Sequence, residues 1–103
     1  MKIAISCQGM SEDALVDTRF GRCTAFAIYN TDTKVLEFIE NPNKNAVEGA
    51  GPASVSLIAN QNVSKVISGE FGFKIKQMLT DLNIQMVIMK ENRTVQEIIN
   101  LIK

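Results

Sequence analysis

Histidine is absent from this chain. Without an imidazole there is no Ser/His/Asp triad, no Cys/His nucleophile pair and no ring-nitrogen metal ligand. Cysteine is scarce as well. Cys7 and Cys23 are the only two, and with no export signal ahead of them they read as reduced thiols rather than a disulfide framework. Neither sign of charge is in excess, because eleven Lys plus Arg balance eleven Asp plus Glu. That balance removes the long-range positive field with which a sequence-independent binder attracts phosphates, so nucleic acid is not an expected partner. Long hydrophobic runs are missing too. Residues 1–7 hold one lysine and a short apolar stretch that reaches polar residues at once, which fits neither a signal-peptide core nor a membrane span. A cytoplasmic protein with no membrane partner is expected. Low-complexity segments, repeats and linkers are also absent, and 103 residues, 46% of them hydrophobic, suit one core and one domain over 1–103.

The apolar positions that remain are grouped in short runs. Ile3, Ala4 and Ile5 close on Ser6 and Cys7, a run too brief for a helix and suited to a strand buried on both faces. Residues 8–24 are polar, hold two glycines and show no period, so they form a long connection of the kind that carries function in a compact domain. Residues 25–29 and 35–39 are apolar, aromatic and β-branched, and the polar residues between them supply the turn of a hairpin. Residues 41–51 hold a proline, three asparagines and two glycines, a second polar loop. Pro52 suits the first turn of a helix that presents Ala53, Leu57 and Ile58. Val66 and Ile67 form a fourth strand. Behind Gly72, Ile75, Met78, Leu79 and Leu82 recur at helical spacing, with Phe71 one turn earlier. A fifth strand spans 84–89. Thr94 and Glu97 then make a capping box ahead of Val95, Ile98, Ile99 and Ile102. This order predicts an α/β fold with a mixed sheet covered by helices on both faces.

Topology decides where the polar segments go. Parallel strands one, four and five would bring Cys7, residues 69–72 and residues 90–93 to one edge, where ligands of open α/β sheets bind. An antiparallel second strand would begin at that edge and deliver Gly21, Arg22 and Cys23, and the third strand would return residues 40–45. Two helices start there, one behind Gly49 and Gly51, the other behind Gly69 and Gly72. Their free backbone donors favour anions; tight strand-to-helix turns account for the same glycines. Neither segment is a Walker motif or a dinucleotide fingerprint. Arg22 is read as the partner of an anionic ligand or of Asp17. Cys7 and Cys23 form either a shared soft-metal site or two small apolar fillers, since two thiolates leave a tetrahedral site incomplete and there is no CxxC. Met78, Met86 and Met89 read as core, and Met10 as a loop residue or a thioether ligand. Glu12, Asp13 and Asp17 read as a solvated loop.

The segment VDTRFGRCTAF at residues 16–26 resembles the dinitrogenase iron–molybdenum cofactor biosynthesis family, small proteins and domains related to nitrogenase accessory factors. The likeness extends through the MKIAI opening, Asn41 and Pro42 after the third strand, the GAG segment at residues 49–51, Gly69, Gly72 and the closing TVQEI helix. It implies a ribonuclease-H-like three-layer α/β/α fold with a five-stranded mixed sheet of order 3-2-1-4-5, strand two antiparallel to the rest. It further implies binding or carriage, without catalysis, of an iron–sulfur or iron–molybdenum-type cluster. A cluster donor or acceptor protein would then be the partner, and the chain a monomer or weak homodimer. Where many members have alanine after the FGR or FGH turn this chain has Cys23, and where some have histidine before GAG it has Val47 and Glu48. With imidazole ligands missing, metal ligands would be Cys7, Cys23 and Glu48, and the cofactor-binding set would be Cys7, Arg22, Cys23, Gly49, Gly51, Gly69 and Gly72. The alternative is a metal-free domain that binds a small anion or another protein. Nuclease activity is not expected, because residues 3–7 offer no metal-binding carboxylate.

Overall fold

The computed structural model describes residues 1–102; Lys103, the last position of the expected domain, lies outside them. The element order is β1 (Lys2–Cys7), β2 (Ala25–Asn30), β3 (Leu36–Glu40), α1 (Ala50–Ala59), β4 (Lys65–Ser68), α2 (Phe73–Asp81), β5 (Gln85–Ile88) and α3 (Val95–Ile102). The five strands form one sheet of order β3-β2-β1-β4-β5. β2 runs antiparallel to β1 and β3, while β1, β4 and β5 are mutually parallel. The expected strand order and directions are therefore present.

Alternation along the strands sorts side chains into two cores. Ala4, Phe26, Ile28 and Val66 pack with Val55 and Ile58 of α1 and Ile75 and Leu79 of α2. Ile3, Ile5, Ala27, Tyr29 and Ile67 pack with Val95, Ile98 and Ile99 of α3 on the other face. Helices thus cover both sides, two on one and a single helix on the other. The central strand is buried throughout from Ile3 to Cys7, as its unbroken apolar run requires.

Three local expectations need correcting. α1 begins at Ala50, two residues before Pro52, and buries Ala50, Ser54, Val55 and Ile58, with Leu57 half-buried against the same core and Ala53 only half-buried. Gly49 in the left-handed region (φ 75) lets the chain turn into the helix early. Leu82 is 51% exposed, because α2 ends at Asp81 and Leu82 is only its C-cap. The connection between β1 and β2 is not a free loop. Val16 bridges Cys7, Leu15 bridges Thr94 and Arg19 bridges Glu70, so the segment is laid across the carboxyl ends of the strands.

Candidate functional site

That carboxyl edge gathers the ends of β1 and β4, the entry to β2 and the exit from β3, as the register Cys7↔Ala25 and Ala25↔Glu40 requires. The crossing segment is pinned from beneath. Asp17 N–H donates to the Ser6 carbonyl (2.8 Å) and Gly69 N–H to the Asp17 carbonyl (3.1 Å). The Ser6 hydroxyl lies within hydrogen-bond distance of the same carbonyl (2.9 Å) and of Ser68 Oγ (2.8 Å). A Cβ on Gly69 would lie 2.4 Å from Thr18 Cα. Gly69 is thus required by the close crossing of two backbones, and Thr18 covers it.

Asp17 corrects the solvated-loop expectation: it is 2% exposed. Its Oδ1 accepts from Arg19 N–H (2.9 Å) and Nε (3.3 Å), and its Oδ2 from Arg19 Nη2 (3.4 Å). The carboxylate raises the Arg19 pKa through these bonds. Arg22, read as the partner of an anionic ligand or of Asp17, makes its hydrogen bonds elsewhere. Its Nη1 donates to the carbonyls of Ala46 (2.7 Å) and Lys44 (3.3 Å), because the turn at Gly21 directs it towards the loop between β3 and α1.

That loop is organised by a residue the sequence reading passed over as part of an Asn-Pro pair. Asn41 is 3% exposed. Its amide donates to the carbonyls of Gly21 (3.1 Å) and Cys23 (3.0 Å), and its Oδ1 accepts from Asn43 N–H (3.1 Å). Ser54 of α1 donates to the same Gly21 carbonyl (3.1 Å). One buried amide therefore ties the FGR turn to the second loop, and one buried hydroxyl ties both to α1. An uncharged hydroxyl inside an apolar helical stripe was the available signal for Ser54.

The two thiols sit in different cores, Cys7 among the residues under α3 and Cys23 among those under α1 and α2. Both are fully buried and free. The Cys7 sulfhydryl lies 3.2 Å from the Gly9 carbonyl and 3.3 Å from that of Ala25; Cys23 Sγ accepts from Asn41 at 3.7 Å. Burial pushes the Cys7 thiol up to about 11. Cys23 is pushed up to about 12, by burial first and then by the nearby Asp17 charge. These are protonated sulfurs at neutral pH, away from solvent. Glu48 is exposed on the loop. Among the described residues no group of three or more His, Cys, Asp or Glu side chains is arranged to hold a metal ion.

What the edge does offer is backbone donors. α1 starts at Gly49 and α2 at Gly72, and neither has a side-chain cap or an acidic residue in its first turn. α3 differs: Thr94 N–H donates to Glu97 Oε1 (2.9 Å) and Glu97 N–H to Thr94 Oγ1 (3.1 Å), which closes its capping box. The first turns of α1 and α2 touch, since a Cβ on Gly51 would lie 2.7 Å from Ile75 Cδ1. The FGR turn joins them: a Cβ on Gly21 would meet Gly51 Cα at 2.8 Å, and the Phe20 ring packs against Phe71 at 5.6 Å. Beside these helix starts Val47 is 98% and Phe73 87% exposed. Two uncapped helix N-termini thus lie side by side, flanked by apolar side chains, a surface suited to an anion with apolar edges.

Over residues 1–103 the chain matches the sequence profile of a family described as dinitrogenase iron-molybdenum cofactor. It is 35% identical over 97 residues to an uncharacterized protein of Methanocaldococcus jannaschii, covering 91% of this chain and 77% of that one. Among solved structures it is similar to the apo form of the orange protein from Desulfovibrio gigas. The TM-score there is 0.91 at 27% identity, over 98% of this chain and 85% of that chain. A protein from Thermotoga that belongs to the DUF35 family, and is provisionally described as NifB, superposes with a TM-score of 0.84 at 28% identity, over 98% and 85% of the two chains.

Proposed function

The chain belongs to the dinitrogenase iron-molybdenum cofactor family, and from that premise we propose that it binds and carries an anionic metal–sulfur cluster, of iron–sulfur or iron–molybdenum type, without catalysing a reaction on it. The observation that carries this reading is the pair of uncapped helix starts at Gly49 and Gly72 on one edge. Sulfide-rich clusters bear negative charge, and the orphan N–H groups of two adjoining first turns complement it with no side-chain charge. Val47 and Phe73 would flank the cluster and limit its contact with water. The layer order and strand directions support, in this reading, a ribonuclease-H-like fold. A protein that donates or accepts the cluster follows as the expected partner.

The sulfurs of Cys7 and Cys23 do not fit a ligand role in this arrangement. Both are sealed and protonated, and a thiolate is the form that binds iron. The cargo in this reading therefore keeps its own sulfur ligands and is held by hydrogen bonds. A non-catalytic role agrees with β1, which offers no carboxylate, and with Asp17, whose two oxygens are held by Arg19.

Anaerobic incubation with iron, sulfide and molybdate, followed by gel filtration and metal analysis, tests the proposal. Metal should co-elute with the chain, and the amount should survive Cys7→Ala and Cys23→Ala. Loss of metal from folded cysteine variants would instead make the thiols ligands. No retained metal, with saturable binding of phosphate, would leave a small-anion domain.

A further inference from the structure

The face of the sheet covered only by α3 carries a hollow. One helix cannot span five strands, and between α3 and the β2–β3 ribbon it leaves a hollow of about 470 Å³. That is within the range of small-molecule pockets, about 300 to 1,000 Å³. Glu12, Tyr29, Lys34, Leu36, Gln96 and Ile99 line it. It lies on the opposite face from α1 and α2 and owes nothing to the cluster reading.

Tyr29 marks it as more than a gap. The residue is 3% exposed, and its hydroxyl finds no hydrogen-bond partner among the described residues. No buried side-chain nitrogen or oxygen lacks a partner, so this hydroxyl is open to the hollow it lines. A tyrosine buried to this extent ordinarily satisfies its O–H within the protein. Here the hydroxyl is reachable from the hollow and free to donate to a ligand there. Charges of opposite sign approach from separate elements, Lys34 from the β2–β3 hairpin and Glu12 from the connection after β1. Gln96 uses its amide nitrogen on Asn100 (3.0 Å), which leaves its side-chain oxygen as an acceptor. Leu36 and Ile99 supply apolar wall between these ends.

We propose that this hollow binds a small zwitterion with an aliphatic body, an apolar α-amino acid. Its carboxylate meets the Tyr29 hydroxyl and the Lys34 ammonium, and its ammonium meets Glu12 and the Gln96 carbonyl oxygen. Its side chain lies on Leu36 and Ile99. A bare carboxylate would face Glu12 uncompensated, and a bare amine would face Lys34.

The test is an amide-resolved NMR titration of the full chain with L-leucine, alongside 4-methylpentanoate and 3-methylbutylamine. Leucine should give a saturating response below about 10 mM, centred on Tyr29, Leu36, Gln96 and Ile99. Each analogue, missing one charge, should bind about tenfold more weakly or worse. Tyr29→Phe deletes a hydroxyl with no partner among the described residues, so the fold should be retained while leucine affinity drops about tenfold. Lys34→Gln should lower it several-fold. Responses that stay linear, an affinity unchanged in Tyr29→Phe, or an analogue that matches leucine would each overturn the assignment. So would sedimentation showing this face buried between two copies of the chain.

Discussion

Gly72→Asp separates cluster binding from stability, because the two should move in opposite directions. Gly72 is the N-cap of α2 with φ −64 and ψ 155, a conformation open to any L-residue and usual for a side-chain cap. A Cβ there would meet only Ile75 Cγ1, at 3.9 Å, an ordinary contact. The new carboxylate would accept hydrogen bonds from the first-turn N–H groups of α2. Replacing glycine by aspartate at an N-cap is worth a few tenths of a kcal/mol, and a negative charge at the helix start adds about 0.3 to 1 kcal/mol. Reduced freedom of the unfolded chain contributes about 0.4 to 1 kcal/mol more. Together these stabilise by about 1 to 2 kcal/mol, and each kcal/mol raises Tm by roughly 4 to 8 °C in a chain of this size. The same carboxylate occupies the donors proposed to face the cluster and repels its charge, so retained metal should fall at least about tenfold. Thermal melts by circular dichroism and metal analysis after reconstitution read the two effects. A raised Tm with undiminished metal would refute the placement of cargo at α2, and a lowered Tm would refute the capping geometry. Gly72→Ala, which adds a Cβ without charge, is the control.

Asn41→Asp should destabilise by about 2 to 4 kcal/mol in urea unfolding, since it removes two buried donors and sets an oxygen against the Gly21 and Cys23 carbonyls. Its folded-state pKa would be raised, so the deficit should be full only above that raised value, shrink as pH falls through it and be smallest below the unfolded value of about 4; a pH-independent effect under about 0.5 kcal/mol would contradict the hub. Gly69→Ala should cost about 1 to 3 kcal/mol or more, because Thr18 backbone must move, whereas Gly51→Ala should be close to neutral, because the Ile75 side-chain tip can yield. Equal effects would mean that the crossing at Thr18 is not rigid. The raised thiols predict alkaline weakening: their contribution is full below the unfolded pKa near 9 and is lost as pH rises towards about 11 for Cys7 and about 12 for Cys23. Cys23→Ala should flatten that decline in unfolding measured from neutral to alkaline pH, and an unchanged slope would speak against burial as its cause.

Much of the fold was legible in one dimension. Period-two and period-3.6 apolar patterns are local consequences of backbone geometry, so β1, α2 and the capping box of α3 could be read from neighbouring residues. The site was legible only as a location. Glycines at residues 49 and 72 signalled helix starts, and strand order brought them to one edge. Arg22 and Arg19 are three positions apart and both follow Asp17, yet only Arg19 reaches it, because the turn at Gly21 sends Arg22 to the Ala46 carbonyl. No local pattern encodes that choice.

Composition and spacing by themselves pointed to an α/β fold without imidazole chemistry and with two thiols near the end of its first strand. Whether those thiols face solvent depended on contacts between residues far apart in sequence. The Val16 bridge closes over Cys7, and Asn41 reaches Cys23. Burial and hydrogen-bond partnership are properties of the packed whole, since what excludes water from a sulfur is the set of other segments that fold against it.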